Sequence, residues 1–152
     1  MMTEEMLLIK FFAAHERLVA NDLELLQRDV SERALVAKLH QYLVEQFAPY
    51  ATDVEYNRAG MKPKRVMRAS ECTVARTFGV VPDIVVHLRG SDDHNLVVCE
   101  VKKSISSKHA RARDRQKLRE IKRDHLYAHA LLVVVPVGPS AARSPCLFEL
   151  VS

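Results

Sequence analysis

The 152-residue sequence predicts an α/β sandwich with a mixed central sheet. Three observations carry this. Two apolar, β-branched runs, Gly79–Leu88 and Asn95–Ser104, flank the short polar connection Arg89–His94 and read as a hairpin of buried antiparallel strands. A segment with Leu35, Leu39, Leu43 and Phe47 at helical spacing precedes them. A basic helix-forming segment and a further apolar run, Ala130–Val137, follow. The order helix, strand, hairpin, helix, strand is that of a layered α/β domain.

Taken in order, Thr3–Ala20 reads as a helix, with Thr3 as N-cap and acids in the first turn. Asp29–Phe47 is a second helix, with Asp29 and Glu32 at capping-box spacing. Tyr50–Arg58 alternates as a strand, and Met61–Phe78 is a basic connection or a further irregular strand. After the hairpin, Lys108–His129 reads as a helix and Ala130–Val137 as a buried strand. Gly138–Pro145 is a loop and Cys146–Val151 a short last strand. The whole is expected to be one domain, with residues 1–28 a helical extension, 29–137 the core and 138–152 the closing loop and strand.

Composition excludes several classes. The chain is 48% hydrophobic with only 4 Gly and 6 Pro, which argues against global disorder. The acidic start, Met1-Met2-Thr3-Glu4-Glu5, is unlike a secretory signal, and no apolar run approaches the ~20 residues that span a bilayer. Cys72, Cys99 and Cys146 form no CxxC pair, so neither a zinc site nor a disulfide framework is indicated. A soluble, cytoplasmic protein without membrane contact is expected. No GxSxG, P-loop or GxGxxG pattern is present, which argues against serine hydrolases, NTPases and dinucleotide enzymes.

The residues that carry chemistry sit in the hairpin. Residues two apart in a strand point to the same face, so Glu100 and Lys102 emerge side by side. Asp83, on the neighbouring strand, meets them. Ionised groups are placed in an apolar sheet only when paired or bound to metal.

Pro82-Asp83 followed by Glu100-Val101-Lys102 resembles the signature of the PD-(D/E)XK nuclease superfamily, the fold of many restriction endonucleases and DNA-repair nucleases. The resemblance runs from about Asp29 to Val137. It implies a restriction endonuclease-like three-layer sandwich, with helices flanking the mixed sheet. It implies Mg²⁺ or Mn²⁺ held by Asp83 and Glu100, with Lys102 orienting or activating the attacking water. The superfamily often adds a glutamate from the first core helix, and Glu32 stands at the matching place. On the residues alone, Glu32 equally well closes a capping box with Asp29. Glu55 is a further ligand candidate or simply the wet face of its strand. The resemblance also allows Gln116 or Lys117 to face the site from the following helix.

Charge is uneven. Residues 1–60 hold six Lys/Arg against ten Asp/Glu, whereas residues 61–152 hold seventeen against nine. Lys102–Arg123 alone holds ten basic residues against Asp114 and Glu120, and Lys62, Lys64, Arg65, Arg68 and Arg76 form a second cluster. Basic surface beside a metal-capable acidic centre suits a phosphodiester-cleaving enzyme, because the cations hold backbone phosphates. The alternative is a solvated helix face. The phosphate-binding candidates are Lys103, Lys108, Arg111, Arg113, Lys117 and Arg58. His125 and His129 have the i, i+4 spacing of a chelating pair but no evident third ligand, and His87 reads as a hydrogen-bonded core histidine.

The expectation is therefore a metal-dependent DNA nuclease. The alternatives are a non-catalytic nucleic-acid-binding or assembly module of the same fold, and an unrelated α/β domain in which Asp83, Glu100 and Lys102 form a buried salt bridge. The chain has no separate recognition domain, so a protein partner supplying specificity is envisaged. The apolar first helix makes a homodimer plausible, with two sites to cut two strands.

Overall fold

A computed structural model describes residues 1–69 and 75–152 of the chain. Thr3 caps the first helix, α1 (Glu4–Gln27), its Oγ1 accepting from Met6 N at 3.2 Å. The helix runs well past the expected end at Ala20. Asn21 and Asp22 are weak helix formers and read as a stop, but tertiary contacts override them. Asp22 is kinked (φ −132°, ψ 27°), the Tyr42 hydroxyl and Lys38 engage its carboxylate, and Leu26 beyond it is fully buried.

The second helix, α2 (Glu32–Phe47), begins three residues later than expected. Ser31, not Asp29, is the N-cap, accepting from Ala34 N at 3.2 Å. Asp29 instead takes the left-handed conformation (φ 52°) in the preceding turn and binds Lys103 Nζ at 2.8 Å. The Asp29–Glu32 capping box does not form, and Glu32, at the first helical position, is left for another partner.

Strand β1 (Ala51–Val54) stops at Glu55, whose φ of 48° breaks the extended conformation. Two small ribbons follow: β2 (Arg58–Ala59) with β3 (Lys62–Pro63), and β4 (Arg65–Ala69) with β5 (Ala75–Gly79). The basic segment Met61–Phe78, expected as a connection or a further irregular strand, thus lies outside the main sheet and contributes to these ribbons; Cys72 lies outside the described residues.

The expected hairpin forms as β6 (Ile84–His87) with β7 (Asn95–Lys103), with Ile84 opposite Cys99 and Val85 opposite Val98, but its first strand is shorter than the expected Gly79–Leu88, because Gly79 ends β5. Helix α3 (Lys108–Asp124) is capped at its start by Ser107 and ends sooner than expected, at His125, because Leu126 turns left-handed (φ 53°). His125 and His129 therefore share no helix. His129 opens strand β8 (His129–Val135), and each ring Nε2 donates to a carbonyl, His125 to Arg65 and His129 to Met2. Strand β9 (Leu147–Leu150) closes the chain's secondary structure.

The main sheet has five strands in the order β1-β6-β7-β8-β9, mixed because only β7 and β8 are parallel, joined by the α3 crossover. Strand alternation splits β7 between two cores. Val97, Cys99 and Val101 face α1 and α2 together with Phe11, Leu18, Leu39 and Leu43, while Val98 faces α3 with Leu118 and Ile121. The result is three layers: α1 and α2, the sheet, and α3. Among the described residues no helix is long and apolar enough to cross a membrane.

Leu39 is fully buried between α2 and the sheet, whereas Ile9 on α1 is 60% exposed. Leu39→Ala should cost about 2–5 kcal/mol in denaturant-induced unfolding, and Ile9→Ser should stay within about 0.5 kcal/mol of the parent.

Candidate active site

Three elements meet at the middle of the sheet to form the site. Glu100 projects from β7 toward α3 and is 2% exposed. Asp83 stands one step before Ile84 and so comes level with Glu100, where the β6–β7 ladder ends. Its Oδ2 accepts from Val101 N at 2.8 Å and its carbonyl accepts from Glu55 N at 3.0 Å, which fixes it between β7 and the end of β1. Val101 points the other way and is fully buried in the α1–α2 core.

Two lysines balance the acids. Lys102, two residues on and on the same face as Glu100, places Nζ 2.7 Å from Glu32 Oε1 and 3.3 Å from Asp114 Oδ2. Lys117, on α3, places Nζ 2.7 Å from Glu100 Oε1. Glu100 Oε1 and Asp114 Oδ2 have no well-angled hydrogen bond among the described residues, so ion pairing is what compensates them.

The electrostatics follow from burial. Burial, reinforced by the Asp83 charge, pushes the Glu100 carboxyl up to about 8, against the pull of Lys117. Burial also raises Asp83, although the Val101 N–H, Lys117 and Lys102 oppose it. Burial pulls Lys102 down, but Glu32 and Asp114 outweigh it and hold the ammonium above the ordinary lysine range. Four carboxylates (Asp83, Glu100, Glu32, Asp114) thus face two ammonium groups.

This donor set suits a hard divalent cation. Among the described residues no three His, Cys, Asp or Glu side chains converge at metal-binding spacing. Mg²⁺, however, is held by as few as one or two carboxylates with waters and substrate phosphate completing its shell. Asp83 and Glu100 supply that pair, and burial is the main reason both carboxyls titrate high, so a cation between them would stabilise their charged forms. Beside them, Asp83, Glu32, Arg33, Val36, Val54 and Glu55 line a half-open pocket of about 430 Å³.

The structure brings Asp83, Glu100, Lys102 and Lys117 together, with Glu32 at the edge as the partner of Lys102. Gln116 instead donates to Glu120 Oε1 at 3.0 Å, and Glu55 accepts from Arg33 at 2.8 Å. His87 is buried and bonded to Asp53 Oδ2 at 2.9 Å. Of the proposed phosphate-binding residues, Lys108 and Arg113 on α3 and Arg58 on β2 are exposed. Lys103 is tied to Asp29 and the Val30 carbonyl, and Arg111 to Ser106 Oγ and the Ser104 carbonyl. Asp114 was not anticipated. Its signal was its place three residues before Lys117, on the same helix face, in a segment otherwise basic.

Glu100 gives the metal-free protein a defined pH dependence. Its folded pKa (about 8) exceeds its unfolded value, 4.5, so the fold favours the protonated form. That contribution is full below about 4.5 and is lost as pH rises through about 8. Between pH 5 and 8 the Tm of the metal-free parent should fall by several degrees relative to Glu100→Gln, as read by thermal unfolding. Parallel curves for the two proteins would remove Glu100 as the group responsible.

Comparison of the chain with family models, with curated proteins and with solved structures found no match. Its function is therefore argued from the residues above.

Proposed function

We propose that the chain is a metal-dependent nuclease hydrolysing phosphodiester bonds in DNA, with a PD-(D/E)XK-type site on a restriction endonuclease-like fold. The observation that carries this reading is the pairing of buried Glu100 with half-buried Asp83 beside Lys102, at the end of a hairpin in a mixed sheet. The element order α2, β1, β6, β7, α3, β8 accords with it.

Asp83 and Glu100 would hold Mg²⁺ or Mn²⁺, with Glu32 at the rim as a further carboxylate. The bound ion would acidify a water and relieve charge on the phosphoryl group. Lys102 stays a cation between Glu32 and Asp114. It therefore acts by donating to the water or to a phosphoryl oxygen, and proton abstraction falls to another group. Exposed Lys108, Arg113 and Arg58 hold flanking phosphates. A partner protein or a second copy of the chain would supply what specificity this small domain lacks.

A second reading has its own support. Each carboxylate in the site already has a lysine or backbone partner, as in a non-catalytic nucleic-acid-binding or assembly module.

Cleavage of linear, nicked, flapped and branched DNA, and of RNA, in Mg²⁺ and Mn²⁺ separates the two. Glu100→Ala and Lys102→Ala should each lower cleavage on the order of 10²–10⁴-fold with circular dichroism unchanged. Salt-sensitive binding without metal-dependent cutting would favour the binding module, and variants as active as the parent would overturn the assignment of the site.

A further inference from the structure

We infer that Lys117 is the protein's own cation at the Asp83–Glu100 site, and that its ammonium and a divalent ion occupy that site in exchange. The inference rests on the metal site of the nuclease reading and adds what the ion must displace.

Lys117 supplies charge rather than a directed hydrogen bond. Its Nζ is 2.7 Å from Glu100 Oε1, yet that buried oxygen has no well-angled hydrogen bond. What the carboxylate gains from the lysine is a positive charge in a poorly solvated place, and a divalent ion offers twice as much. An ion held by Glu100 would put a divalent charge within roughly 4–5 Å of an ammonium left on Oε1, in a poorly solvated place where like charges repel strongly.

The two lysines of the site are built differently. Lys102 is pinned by two carboxylates, Glu32 and Asp114, from separate helices. Lys117 has Glu100 as its one ion-pair partner among the described residues, and its side chain is 24% exposed. Its four-carbon stem leaves the ammonium a path to solvent, where it regains hydration or meets a substrate phosphate. Lys102 thus stays when the ion enters, and Lys117 leaves. In the metal-free protein Lys117 keeps the acid pair compensated; in the loaded protein it is released to solvent.

The test uses Mn²⁺ alone, without nucleic acid. Crystals of the full chain grown with Mn²⁺ should show an anomalous peak at Asp83 and Glu100 and Lys117 Nζ more than 4 Å from Glu100. In thermal unfolding, metal-free Lys117→Met should melt about 5 °C below the parent, and saturating Mn²⁺ should bring the two together. Mn²⁺ at the carboxylates with the Lys117–Glu100 pair intact, or a deficit that persists at saturation, would overturn the exchange while leaving the metal site standing. No Mn²⁺ at Asp83 and Glu100 would overturn the exchange and the nuclease reading together. If Lys117→Met does not fold, the crystals of the parent decide.

Discussion

The Glu100 carboxylate cannot be ionised in the middle of this sheet without a counter-charge, and the architecture of the site follows from that. Glu100 lies on the central strand with β6 and β8 on either side and α3 across its face. Water cannot compensate it there, so the protein must, and Lys117 is the group that does. Well-packed hydrophobic residues in place of both Glu100 and Lys117 would serve the fold as well or better, since buried ion pairs recover their desolvation cost only in part. Asp83 makes the cost larger by adding a second acid at the same level. A sheet that carries a buried acid next to a half-buried one is poorly explained by stability, and well explained by a ligand that needs them.

Strand alternation then distributes the neighbouring charges. Lys102 and Lys103 are adjacent in sequence but emerge on opposite faces of β7. Lys102 turns into the site. Lys103 reaches the turn before α2, where it holds Asp29 and the Val30 carbonyl. That tie brings the start of α2 against β7, and the Ser31 cap makes Glu32 the first helical residue. Glu32 then meets Lys102 at 2.7 Å. One strand therefore positions both the acid and the lysine of the site, and also the helix end that supplies a further carboxylate.

Features of short period were readable from the residues. The hairpin follows from two apolar runs and a short polar link, and the shared face of Glu100 and Lys102 follows from the two-residue repeat of a strand. What was not readable depended on competition between local signals and distant contacts. Asp29 and Ser31 both qualify as N-caps, and the Lys103 contact goes to Asp29. The continuation of α1 past Asn21 and Asp22 depends on Tyr42 and Lys38 of α2. The β4–β5 ribbon lacks the strong apolar alternation that marks a strand, because much of it is exposed and basic. Lys117 was among the residues considered to face the site, but which oxygen it meets is set by the rotation of α3 on the sheet, fixed by Leu118 and Ile121 in the core.

The same contacts revise what the basic composition of α3 means. Ten basic residues between Lys102 and Arg123 suggest a broad phosphate-binding face, yet most of them are committed within the protein. Arg115 forms a two-point pair with Glu149 of β9 at 2.6 and 2.8 Å, Arg123 holds Asp124 and the Met67 carbonyl, and Arg111 closes the turn after β7. With Lys102, Lys103 and Lys117 also engaged, the exposed cations without an ion-pair partner among the described residues narrow to a few, such as Lys108 and Arg113. Non-specific affinity for a polyanion scales with the number of phosphates neutralised. A footprint of this size favours weak encounter, with firm seating dependent on the ion and on the lysine it releases. On this reading, metal and nucleic acid are recognised jointly: the acids that need the cation also keep the surface from holding phosphate without it.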